Sequence, residues 1–236
     1  MKNETWVIQR TFIWNLIKAG ILALFIGQFS AAPIMIFFTW YHWWTVLLGF
    51  LVYALEAWAL YAIYRRYARI RRLELPTLTA KLAPRNIVMV GVAVAILVLL
   101  ALGNAALMDW LHLPVAENQV IIDRMMKVHP VPLIIGASFF GPMCEELNFR
   151  GIFANYTVFG QYQRRTYTVV VYLVSSVLFG FAHTGFSNFT QLIYYTLFGM
   201  VVGSTYWLSG RDIRVNTVTH MLGNLILTLI WWPVMG

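Results

Sequence analysis

Charge is what this sequence has least of. Only 11% of its 236 residues are Asp, Glu, Lys or Arg, against about 25% in soluble domains. A larger core cannot absorb that shortfall, so the composition predicts lipid as the solvent and excludes a soluble module. The net charge of +8 therefore does not point to nucleic acid as a partner. Cysteine is also nearly missing. The single Cys144 rules out an intrachain disulfide. Its apolar flanks fit a small core filler better than an activated nucleophile. No internal repeat or low-complexity tract is present. The apolar run after Lys18 has no signal-peptide cleavage pattern and reads as a retained anchor.

Apolar residues are abundant instead, at 60%, with 16% aromatics. Pairs such as Trp43-Trp44 and Trp231-Trp232 suit a membrane–water interface. Seven apolar segments are long enough for spans of about 20 residues each: roughly 19–38, 44–64, 87–108, 132–157, 167–183, 191–209 and 217–235. The expected fold is all-α, a polytopic helical bundle forming one integral membrane domain over 1–236. The segment Asp109–His129 reads as a short surface helix.

The basic residues orient this bundle. Lys2, Arg10 and Lys18 precede the first span. Arg65, Arg66, Arg69, Arg71, Arg72, Lys81 and Arg85 follow the second, Arg164 and Arg165 the fourth, and Arg211 and Arg214 the sixth. If seven spans alternate, all of these fall on one side, and only Arg124 and Lys127 on the other. The positive-inside rule then puts the N-terminus in the cytoplasm and the C-terminus outside. The arginine-rich loop also meets anionic lipid headgroups in this orientation.

Ionisable groups inside spans mark functional sites by default, because lipid cannot solvate them. They are Glu56, Glu145, Glu146, Arg150, His183 and His220. In GPMCEELNFRG (141–151), Glu146 and Arg150 are four apart with the acid first, the favourable order for an ion pair. Glu145 lies about 100° around the helix and cannot easily share that arginine. It is the carboxylate free for general acid or base work. Phe179 stands one turn before His183 and can fix its ring. His220 and Asn224 share one face of the last span, a base or ligand beside a neutral donor. Taken singly, the two histidines also fit interfacial or interhelical roles. Glu56 either pairs with a snorkelling arginine or sits in a polar cavity.

Glu145-Glu146-x-x-x-Arg150, Phe179-x-x-x-His183 and His220-x-x-x-Asn224, on separate hydrophobic segments in that order, resemble the CPBP (Abi) intramembrane protease family. That family includes type II CAAX prenyl proteases and bacteriocin-processing or self-immunity proteins. The resemblance covers about 130–225 and leaves the first spans, 1–110, unmatched. It implies a helical bundle with a polar cavity open to the cytoplasm, and hydrolysis of a peptide bond in a membrane-associated, prenylated or leader peptide. Glu145 and His183 would activate water, with His220 and Asn224 on the oxyanion side and Glu146, Arg150 and Phe179 in support. One zinc ion on Glu145, His183 and His220 is open as a metalloprotease scheme. A metal-free scheme is favoured, and no HExxH occurs. The length favours a bacterial plasma membrane and the bacteriocin-type use. The alternatives are a proton-coupled transporter and a non-catalytic bacteriocin immunity protein.

One geometric difficulty is visible already. If the fifth and seventh spans both run outward, His183 ends one and His220 begins the other, at different depths. Either the fifth helix starts well inside the cytoplasm, or a loop at 184–190 is buried within the bundle, and the buried loop is the expectation.

Overall fold

The computed structural model describes residues 2–38, 42–70, 75, 80–113, 117–158, 164–185 and 189–235. Among them there is no strand. Eight helices follow one another: α1 (Lys2–Ala32), prolonged by a π-helical stretch at Pro33–Phe38, α2 (Trp43–Ile70), α3 (Pro84–Trp110), α4 (Glu117–Val128), α5 (130–157), α6 (Arg165–Thr184), α7 (Phe189–Leu208) and α8 (Ile213–Met235). Each of the seven apolar segments is a helix, and α4 is the short helix expected between the third and fourth.

Five helices are long and apolar enough to cross a membrane: α1 from Arg10, α2, α3, α6 and α8 to Trp231. The count of seven spans is thus not reproduced by length and composition alone. Of the three remaining helices, α5 and α7 have the length. α5 carries Glu145, Glu146 and Arg150, and α7 carries Gln191, Tyr194, Tyr195, Ser204 and Thr205. These are polar groups that must face protein rather than lipid. The residues before position 19 are helical, because α1 begins at Lys2. Lys18 lies within the apolar stretch and is exposed, where its long stem can carry the ammonium toward the interface.

Packing follows the same logic. α5 occupies the middle, touching α1, α2, α6 and α8, and every residue from Leu147 to Ala154 is buried. The outer surface is apolar, with Ile21, Phe25, Trp58 and Leu99 among its large exposed side chains. Trp43 and Trp110 are exposed at helix ends, the level at which indole rings prefer to sit.

α6 and α7 form the tightest pair. A Cβ at Gly180 would stand 2.6 Å from Thr196 Oγ1 and 3.1 Å from the Leu192 carbonyl, so only glycine permits this approach. α6 stops at Gly185, whose φ of 61° suits glycine. Its amide donates to the Phe181 carbonyl at 2.9 Å.

The buried loop expected at 184–190 is described only at its ends, where Thr184 is buried within α6. Positions 186–188 lie outside the described residues, but Gly185, Phe189 and Thr190 are exposed. The depth problem is solved by stagger. Eighteen residues separate Arg165 from His183, about 27 Å of helix, and seven separate Ile213 from His220, about 10 Å. For helices of similar tilt, α6 starts some 16 Å farther from the site than α8 does.

Candidate active site

α5 departs from the plain α-helix assumed from its sequence. It is π-helical at Gly136–Phe140 and Leu147–Ala154 and α-helical at Gly141–Glu146. Such wider turns are frequent at functional sites. In the first π stretch the Gly141 amide donates to the Gly136 carbonyl. The next bond in that register would run from residue 142 to the Ala137 carbonyl, and Pro142 has no N–H to give. That carbonyl is taken by a side chain instead: Asn224 Nδ2 donates to it at 2.9 Å. A proline thereby creates the acceptor that holds α8 against α5.

Glu146 is buried completely and serves three partners. Arg150 Nη1 and His220 Nδ1 each stand 2.9 Å from its Oε1, and Asn216 Nδ2 donates to its Oε2. Arg150 itself is 2% exposed. Its Nη2 donates to the Gly199 carbonyl at 2.6 Å, and the guanidinium lies 5.0 Å from the centre of the Phe179 ring, a cation–π contact. The expected Glu146–Arg150 pair is present, but it is not self-contained. It ties α5 to α6, α7 and α8.

Both imidazoles are oriented by their Nδ1 atoms. A carbonyl only accepts, so His183 Nδ1–H donates to the Phe179 carbonyl, at 2.9 Å. The ring is held between Phe179 at 4.3 Å and Tyr195 at 4.7 Å. His220 Nδ1–H donates to Glu146, and its ring meets Phe179 and Phe198 edge-on. This leaves the two Nε2 atoms, which converge on one oxygen: His183 Nε2 is 3.7 Å and His220 Nε2 3.8 Å from Glu145 Oε2. Those distances are too long for direct hydrogen bonds, so the three groups face one another without being bonded. Glu145 Oε2 is buried and has no hydrogen-bond partner. Glu145 and His183 keep 19% and 22% of their side-chain surface accessible, while His220 keeps 1%. The cluster is therefore open on one side and backed by His220 on the other.

Three of the four residues singled out for chemistry thus meet, and Asn224, one turn after His220, is tied to α5 at the Ala137 carbonyl. Cys144 is buried. Among the described residues Glu56 pairs with no arginine; it accepts a hydrogen bond from Ser30 Oγ at 2.6 Å, linking α1 to α2. Asn216 and Tyr195 were not singled out. Asn216 has a readable signal, one turn before His220 on the same face. Tyr195 has none. As for zinc, no group of three or more His, Cys, Asp or Glu side chains among the described residues is placed to hold a metal ion. The Nδ1 bonds of His183 and His220 leave both Nε2 atoms available, an arrangement that metal-ligating histidines also use.

Residues 127–226 match the model of the Rce1-like family, described as type II CAAX prenyl endopeptidase Rce1-like. That segment contains all three motifs. Among curated proteins, the chain is similar to "Putative membrane peptidase YdiL" of Bacillus subtilis (strain 168), 32% identical over 117 residues. The match covers 49% of this chain and 43% of that protein. This chain therefore aligns with less than half of its relative's length. No solved structure matches the chain.

Proposed function

We propose that this integral membrane protein is an intramembrane endopeptidase using a side-chain-activated water, a reading supported by the likeness of residues 127–226 to the Rce1-like endopeptidase model. The observation that carries this reading is the convergence of His183 Nε2 and His220 Nε2 on the unbonded Glu145 Oε2.

A water between Glu145 and His183 gives its proton to the Glu145 carboxylate as its oxygen attacks the scissile carbonyl carbon. General-base help of this kind contributes about 10²–10⁴-fold. The carbonyl oxygen becomes an oxyanion. His220, when protonated on both nitrogens, donates from Nδ1 to Glu146 and from Nε2 into the site. Asn224 Nδ2 has a second hydrogen beyond the one spent on Ala137. Together these are the oxyanion donors. Collapse breaks the C–N bond, and the proton on Glu145 leaves with the amine. Glu146 and Arg150 act through His220 by fixing its ring. Zinc takes no part in this scheme.

The substrate class is a membrane-associated peptide, either a prenylated C-terminal segment or a leader peptide. The test uses purified protein in nanodiscs with two quenched fluorescent probes, one farnesylated at a C-terminal Cys-containing tetrapeptide and one an unprenylated leader sequence. At least one probe should be cut at a single bond identified by mass spectrometry. His183→Ala should lower turnover by roughly 10²–10⁴-fold, and chelators should leave the wild type unchanged. Equal turnover by wild type and variant would sink the proposal. Activity lost with chelation and restored by one equivalent of zinc would replace the water-only scheme. Proton flux without cleavage would favour the transporter.

The orientation is part of the same proposal, with the N-terminus in the cytoplasm of a bacterial plasma membrane and the C-terminus outside. Lys81 and Leu111 are exposed before and after α3. In a Cys144→Ala background, Lys81→Cys should react with a membrane-impermeant thiol reagent only from the cytoplasmic face, and Leu111→Cys only from the outer face. The opposite pattern would invert the bundle and the route by which substrate arrives.

A further inference from the structure

A cavity of about 590 Å³ lies between α1, α2 and the C-terminal part of α5, within the size range of small-molecule sites. It is separate from the Glu145 cluster. Its α5 wall starts at Asn148, whose Nδ2 is committed to the Ala23 carbonyl at 2.8 Å. The walls are mainly apolar, with Leu22, Ile26, Ile63 and Ile152 among them, and two cations belong to the lining, Lys18 and Arg66. No carboxylate is among its described lining residues.

The charge is placed at one end. Arg66 lies in the last turns of α2, where the arginine-rich stretch begins, and Lys18 on α1 also borders the cavity. From Lys18 the α1 wall continues through Ala19, Leu22 and Ala23 to Ile26, two turns or about 12 Å without a polar side chain. Both cations are exposed, so they are reachable from the membrane interface. A peptide would demand partners for its backbone, and these walls are helices whose main chain is already bonded. An amphiphile with one anionic group and a long apolar tail demands only what is present.

We propose that this cavity binds one anionic phospholipid, its phosphate between Lys18 and Arg66 and an acyl chain along Leu22 and Ile26. A basic residue near an anionic lipid surface is worth about fivefold in affinity, so the two together give about thirtyfold. Native mass spectrometry of the purified full chain, titrated with phosphatidylglycerol and with phosphatidylcholine of the same acyl chains, reads this directly. Phosphatidylglycerol should bind the wild type about thirtyfold more tightly. The Lys18→Gln/Arg66→Gln double variant should reduce that preference to near unity. Leu22→Trp, at a half-exposed position, keeps both charges but fills the groove and should weaken both lipids. Inorganic phosphate alone should neither bind nor compete. Equal affinity for the two lipids, a preference that survives the double variant, or displacement by inorganic phosphate would each overturn the proposal.

Discussion

Glu146→Gln is expected to destabilise the protein by about 3–5 kcal/mol, the usual result of leaving one member of a buried ion pair without its partner. The substitution keeps the shape and removes the charge. Arg150 then has no counter-charge, only neutral acceptors such as the Gly199 carbonyl and the face of Phe179, and His220 loses the carboxylate that fixes its Nδ1. Peptide hydrolysis should fall with stability, because the His220 ring is no longer set toward Glu145. Thermal melts in detergent report the first effect, and turnover below the melting point the second. A variant that melts with the wild type would show that the network is not the brace inferred from its geometry.

Glu145→Gln should do the reverse. Turnover should drop by at least about 10³-fold, within the range for losing a general base, while the melting temperature stays within the change produced by about 1 kcal/mol. Its Oε2 accepts no hydrogen bond, so the fold gives up little when that oxygen becomes an amide nitrogen. Adjacent, nearly isosteric substitutions thus separate chemistry from architecture. If Glu145→Gln unfolded the protein and Glu146→Gln merely silenced it, the two roles would have to be exchanged.

The contrast between these neighbours also shows which information the sequence carries locally. Glu145, Glu146, Arg150, His183 and His220 were legible because each is polar in an apolar segment, and lipid allows few reasons for that. The Glu146–Arg150 pair was legible because both ends lie on one helix. What could not be read depends on other helices. Asn216 reaches Glu146 across seventy positions of sequence. Tyr195 covers His183 only because α6 and α7 close tightly at Gly180. The π turns of α5, and the carbonyl that Pro142 leaves for Asn224, arise from a change of helical register with no signature in composition. Of the two ways to reconcile the depths of His183 and His220, the helix lengths favour an early start of α6, which only the helix ends, and not composition, reveal.

Arg150 stands one turn from Glu146 on the same helix, and this bears on how the chain is made. Charged residues at the centre of an inserting helix cost about 2.5–3.5 kcal/mol each, and a partner four residues away offsets part of that before any later helix exists. α5 can therefore enter the bilayer with its counter-ion aboard. As synthesis continues, α7 supplies the Gly199 carbonyl to Arg150, and α8 supplies Asn216 and His220 to Glu146. The last helix to emerge both completes the brace and brings the buried imidazole to Glu145. A nascent chain that has not finished α8 holds a carboxylate and one histidine but lacks His220 and Asn224, so under the proposed mechanism the order of translation keeps an incomplete molecule inert inside the membrane.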